Sequence, residues 1–288
     1  MKVNSYKLNN GIAVTLHCSD ELQSAPVVIL CHGFCGIQDI LLPAFAEAFT
    51  KAGLAVVTFD YLGFGASEGE RGRLIPALQI ANIVSVIDWV KTLEHVDITS
   101  IGLWGTSLGG GHVFGAAVQR PEVKCIVSQL GFADGEGVVT DGMTVTEIEN
   151  FIATLDRMAA KRESTGKEMF VPVTRVLSDE ESKRFFEENK VKYPALDIKI
   201  PFLTIRETLQ YKPATSAAQV KCPVMVVVAS NDMVNPPKQG VALYDAVGSE
   251  VKMLIMEEGA NHYEMYAGKH FDNIITHQIN WFKTYLCA

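Results

Sequence analysis

Gly105-Thr106-Ser107-Leu108-Gly109 constrains this chain more than any other five residues. The apolar run Ile101–Trp104 before it reads as a short strand, and Leu108–Gln119 after it reads as a helix stopped before Pro121. A strand that becomes a helix within one residue puts the Ser in a strained backbone. The flanking glycines remove side chains that would clash there. The hydroxyl then stands above the end of a strand, at a helix N-terminus whose dipole favours negative charge. The competing reading is a structural Ser in a Gly-rich turn. The strand-turn-helix setting favours a nucleophile at Ser107.

The remainder of the chain repeats the same rhythm. Val3–Leu8 and Ile12–Cys18 read as strands joined by the turn Asn9-Asn10-Gly11. Pro26–Cys31 and Leu54–Phe59 are continuous apolar runs of the kind found in buried parallel strands. Helices are expected over Leu41–Ala52, closed by Gly53, and over Ile75–Leu93. Val123–Gln129, Pro223–Ala229 and Val251–Met256 are further strands, with helices near Pro237–Val247 and Phe271–Leu286. Alternating strands and helices predict a mostly parallel sheet with helices on both faces.

Between residues 133 and 220 the rhythm breaks. No buried strand is evident there. Val145, Ile148, Ile152, Leu155 and Ala159 recur at helical spacing, and Ser178 with Glu181 reads as a capping box for a second helix holding Phe185 and Phe186. The expected organisation is a sheet domain, residues 1–132 and 221–288, interrupted by a helical cap, residues 133–220. The alternative is a plain run of crossover helices. A cap there would cover the C-terminal ends of the strands, where ligands bind in open α/β sheets. Phe151, Met158, Phe185 and Phe202 are its candidate substrate-binding residues, with packing inside the cap as the competing role.

With 288 residues, 48% of them hydrophobic, the chain has ample apolar material for such a core. A formal net charge of −8 and no Lys/Arg cluster argue against a nucleic-acid partner. The N-terminus has no apolar signal region, and no apolar stretch approaches the roughly 20 residues needed to cross a bilayer. Six cysteines, spread out and without a CxxC pair, suit reduced thiols rather than disulfides or zinc. The expectation is a soluble cytoplasmic protein with no membrane partner.

A Ser hydroxyl needs a base. Of seven histidines, His17 falls in the first hairpin, His95 at a helix end, His112 inside the helix after Ser107, and His270 and His277 on the last helix. His262 differs, because Glu257-Glu258-Gly259-Ala260-Asn261-His262 is a loop directly after the last strand. The acid that orients a base is expected at Asp232, just past Pro223–Ala229, with Glu257 and Glu258 as fallbacks and helix capping as the competing role. The chain order is then Ser, Asp, His. Backbone N–H donors for an oxyanion are expected at Leu108 and at Phe34, in His32-Gly33-Phe34 after the strand Pro26–Cys31. His32 reads as structural rather than as a second base. Asp60, opening the Gly-rich turn Asp60 to Ser67, reads as a loop anchor. That turn lacks the G-x-G-x-x-G spacing of a dinucleotide fingerprint.

His32-Gly33-Phe34, the Asp60 to Ser67 turn, the Ser107 elbow, Asp232 and His262 together resemble the α/β-hydrolase superfamily over nearly the whole chain outside the cap. Arg206 to Pro213 and Asn261-His262-Tyr263-Glu264-Met265-Tyr266 resemble a subgroup. It holds hydrolases related to the X-Pro dipeptidyl peptidase catalytic domain and to thioesterase-like or acyl-transferring enzymes of polyketide pathways. The resemblance implies an eight-stranded sheet with one antiparallel strand near the start. It also implies neither metal nor organic cofactor. Ser at the elbow argues against haloalkane dehalogenase chemistry, where similar enzymes carry Asp.

The function expected is hydrolysis of a small-molecule ester or thioester, of carboxylesterase or thioesterase class. An acyltransferase or cyclase, a small-substrate peptidase or amidase, and a non-catalytic ligand-binding protein are the alternatives. A homodimer through the cap or an edge strand is a further expectation.

Overall fold

A computed structural model describes residues 2–19 and 24–287. Its strands are β1 (Lys2–Lys7), β2 (Ala13–Cys18), β3 (Ala25–Cys31), β4 (Ala55–Phe59), β5 (Val96–Thr106), β6 (Cys125–Gln129), β7 (Phe170–Pro172), β8 (Lys199–Pro201), β9 (Val224–Ala229) and β10 (Lys252–Glu257). The helices are α1 (Leu42–Lys51), α2 (Pro76–Val90), α3 (Leu108–Gln119), α4 (Gly135–Val139), α5 (Val145–Thr165), α6 (Glu180–Asn189), α7 (Thr204–Gln210), α8 (Pro213–Ala217), α9 (Pro237–Ala246) and α10 (Gly268–Leu286).

Eight strands form one sheet in the order β1-β2-β4-β3-β5-β6-β9-β10. β2 pairs antiparallel with both β1 and β4, and every other neighbouring pair is parallel. The apolar runs supply both cores because successive side chains on a strand face opposite sides. Val27, Ile29 and Cys31 join α2, α3 and α9 on one face. Val28 and Leu30 join Phe45 and Phe49 of α1 and Trp281 and Phe282 of α10 on the other. β5 extends further back than its apolar run. Its first half carries Asp97, Ile98, Thr99 and Ser100 at the surface, held by pairing with β3 across a register shift at Pro26/Val27. Such a half has no burial pattern to be read. No helix among the described residues is long and apolar enough to cross a membrane.

The segment between β6 and β9 holds α4 to α8 and a second, two-stranded sheet, β7 paired antiparallel with β8. Three-residue strands are too short to leave a period in the sequence. α5 starts at a capping box made by Thr144 and Glu147, and ends at Gly166 in the left-handed region. Of the five positions at helical spacing only Leu155 and Ala159 are buried, against Leu203, Ile205 and Leu209 of the α7 region, while Val145 is 73% exposed. The expected apolar stripe is thus half used, because α5 touches its neighbours only along its middle. The capping expected of Ser178 and Glu181 is not what forms. Asp179 is the residue that caps α6, accepting from Ser182 N at 2.7 Å. The helix therefore starts one residue later than the Ser178 reading requires, and Glu181 is free for another partner.

Candidate active site

The elbow is built as its glycines demand. Ser107 sits at φ 54° and ψ −122°, between the end of β5 and the start of α3. A Cβ at Gly105 would collide with the carbonyl of Gly109, and one at Gly109 with the carbonyls of Cys31 and His32. The turn can close only without those side chains. The loop after β3 comes as near. A Cβ on Gly33 would lie 2.9 Å from Ser107 Cβ, so only a glycine lets this loop come so close to the elbow. Phe34 and Leu108 both line the cavity above Ser107.

His262, on the loop after β10, and Asp232, on the loop after β9, form a buried pair. His262 Nδ1 lies 2.7 Å from Asp232 Oδ2. The other carboxylate oxygen accepts from the backbone N–H groups of Val234 and Asn235, each at 2.8 Å. Asp232 therefore both turns its own loop and faces the imidazole. Burial pulls the His262 pKa down, but the Asp232 carboxylate, with smaller contributions from Glu181 and Asp179, outweighs it and leaves the group above its ordinary 6.5. The loop is fixed to the elbow by a 2.6 Å bond between Tyr266 and Thr106 hydroxyls.

Ser107 and His262 line one cavity of about 750 Å³. Among the described residues the Ser107 hydroxyl bonds to Asn235, whose amide donates to Oγ at 3.3 Å and to the Leu130 carbonyl at 2.7 Å. A Ser107–His262 bond is not formed, and such bonds often tighten only when substrate is bound. Asn235 was not singled out from sequence. Its one local signal is its place three residues past Asp232, just before Pro236, where a turn must close.

Phe151, Phe185 and Phe202 line the cavity, together with Phe132, Val139 and Val176. Met158 does not. It packs, as Phe151 and Phe202 also do, against the small cluster of Leu155, Ala159, Leu203, Ile205 and Leu209, but does not reach the cavity. Met158→Ala is expected to lower stability by about 1–2 kcal/mol, a partial version of a buried Met deletion. It should leave acyl-chain preference alone, whereas Phe202→Ala changes that preference. Thermal melts and a graded ester series check both.

The other singled-out residues are occupied elsewhere. His32 is buried with Nδ1 near the Gly33 carbonyl, and burial lowers its pKa against the pull of Asp60. His112 bonds to Tyr211 and Gln79 away from Ser107, and burial drives it down to about 3. Asp60 accepts from Gln38 N and Ala66 N at 2.8 Å and so anchors its loop. Glu257 is held by His270 and Asn273 at the start of α10.

A mostly parallel eight-stranded sheet, with a strained Ser after its fifth strand and an Asp and a His on later strand ends, defines an α/β hydrolase. The chain belongs to that family, and the alpha/beta hydrolase fold matches residues 26–268. An Escherichia coli protein, an uncharacterized 31.7 kDa protein of the traX-finO intergenic region, is 59% identical over 286 residues, covering 99% of this chain and 100% of its own. The quorum-quenching protein AidA of Acinetobacter baumannii is 26% identical, covering 90% of this chain and 86% of its own. The thiohydrolase aneE of Aspergillus aculeatus is 25% identical, covering 92% and 87%. The solved structure of DcsB, in complex with its substrate analogue, superposes with a TM-score of 0.84 at 19% identity, over 100% of this chain and 99% of that one. That likeness speaks for the fold alone.

Proposed function

We propose that this chain is a serine hydrolase that cleaves an ester or thioester of a small to medium apolar acyl or aromatic substrate through an acyl-enzyme. The observation that carries the reading is one cavity lined both by Ser107 at its strained turn and by His262, whose imidazole is paired with the buried Asp232. Ser107 Oγ attacks the carbonyl. His262 Nδ1 is committed to Asp232, so Nε2 takes the hydroxyl proton and later delivers it to the leaving group. The N–H groups of Phe34 and Leu108 hold the oxyanion. Water, activated by the same imidazole, then releases the acid. The inserted segment, residues 133–220, serves as the cap, and its Phe151, Phe185 and Phe202 walls receive the acyl group. A cavity of about 750 Å³ suits a drug-sized ligand rather than a polymer. The thiohydrolase among the relatives supports extending the reading to thioesters.

p-Nitrophenyl esters of graded chain length, from acetate to decanoate, and matching thioesters test the reading. Hydrolysis should peak at an intermediate chain length, and a fluorophosphonate probe should label Ser107. A chain that neither labels nor turns over any of these substrates would sink the proposal. Amide or ester products formed from added amines or alcohols would shift it to acyl transfer. The neutral imidazole is the working form, so kcat/KM is expected to rise with pH. Its midpoint should lie above 6.5, because His262 is raised from that value. A midpoint well below 6.5 would contradict the assignment of His262 as the base.

A further inference from the structure

Helix α6 belongs to the inserted segment, yet its first turns are bonded to the chain that carries His262. Glu181 Oε1 accepts a 2.8 Å hydrogen bond from the backbone N–H of Tyr263, the residue after His262. The Tyr263 hydroxyl donates to Ser182 Oγ at 3.2 Å, and Ser182 is fully buried. The Phe185 ring lies flat on the Tyr263 ring, 4.3 Å between centroids and 16° between planes. Three side chains of one helix thus grip a single residue beside the imidazole. Helix capping does not account for Glu181, because Asp179 already performs it.

We propose that Glu181 is a positioning residue for His262: through Tyr263 it seats the loop that carries the imidazole, so the base is in place only while α6 is docked. This rests on the reading of His262 as the base. Two parts of the role are separable. The bond to Tyr263 N fixes the backbone next to His262. The carboxylate also adds negative charge near a buried imidazole.

The groups around His262 are few. Asp232 faces Nδ1 from the β9 loop, and Glu181 and Asp179 act from the start of α6. Tyr263 and Tyr266 present their rings from the same loop as His262, and burial keeps both hydroxyls neutral. Glu264 turns away to accept from Asn261 N at 2.9 Å. Among the described residues, Glu181 is therefore the one carboxylate of the segment between β6 and β9 that both touches the His262 loop and contributes to the field on the ring.

Glu181→Gln keeps an acceptor oxygen in place and removes the charge. Glu181→Ala removes both. The test is kcat/KM against pH for the parent and both variants with one p-nitrophenyl ester, together with the pH dependence of fluorophosphonate labelling. Both variants are expected to move the acid limb to lower pH by roughly half a pH unit. Glu181→Ala is further expected to have a kcat plateau about ten-fold or more below that of Glu181→Gln, since misplacing a base is expensive. A purely structural role would change the melting temperature and leave the limb where it was. Acid limbs that coincide with the parent's, or equal plateaus in the two variants, would overturn the proposal. If Ser107→Ala still labels or turns over, the underlying reading has failed. If Ser107→Ala is dead and the Glu181 limbs do not move, only the clamp has failed.

Discussion

Ser107→Ala is expected to lower kcat on an activated ester by on the order of 10⁶-fold, leaving only what binding and the oxyanion donors supply. The substitution removes one oxygen from a site whose backbone is set by other residues. Gly105, Gly109 and Gly33 still permit the close turn, and the His262–Asp232 pair does not depend on the hydroxyl. The loss should therefore appear in kcat, with the fold and melting temperature close to those of the parent. Asn235 loses one weak bond at 3.3 Å and keeps its 2.7 Å bond to the Leu130 carbonyl. Steady-state kinetics, fluorophosphonate labelling and a thermal melt provide the three readouts. Turnover within ten-fold of the parent would remove Ser107 from the mechanism.

Asp232→Asn carries the second largest effect, and here the geometry dictates how the damage occurs. One carboxylate oxygen accepts from Val234 N and Asn235 N, and the other faces His262 Nδ1. An Asn must keep its carbonyl oxygen on the two backbone donors, since turning its NH2 toward them would oppose N–H to N–H. The NH2 is then aimed at Nδ1. His262 must accept there, which moves its own proton to Nε2, the atom that should take the proton of Ser107. The base is lost although nothing has moved. A fall in kcat of about 10⁴-fold is expected, with little change in KM. Partial recovery at high pH would fit an imidazole trapped in the wrong tautomer. A loss of less than ten-fold would mean that another acid orients His262. Glu257, engaged by His270, is not placed to do so.

Much of this was legible in the sequence. Outside β5 the apolar runs gave the central strands to within about two residues, because a strand buried on both faces is apolar along most of its length. The elbow was legible because its demands are local: strand, two glycines, Ser, helix, all within a few residues. Ser107, Asp232 and His262 could be picked out in order because each follows directly on a strand end, and strand ends share one edge of a parallel sheet. Legibility failed where no local period exists. The outer half of β5 carries a surface composition, and β7 and β8 are three residues long.

Within the inserted segment the failures have a common cause. Phe151, Met158 and Phe202 all pack against the cluster of Leu155, Ala159, Leu203, Ile205 and Leu209, yet Phe151 and Phe202 also reach the cavity and Met158 does not. Seven residues apart, Phe151 and Met158 share one face of α5, so helical periodicity cannot separate them; what separates them is which neighbouring element lies opposite each turn of the helix. Ser178 and Glu181 have the spacing of a capping box, but Asp179 caps the helix and the Glu181 carboxylate goes to Tyr263, 82 residues away. By itself the sequence determined most of the sheet, the strained Ser and the places of Asp232 and His262 just past later strands, since these follow from short-range sterics and burial. Only the tertiary structure decided that Asn235 holds the hydroxyl, which aromatic rings wall the cavity, and that α6 grips the His262 loop. Those contacts join segments distant in the chain, and their geometry is set by how whole elements dock.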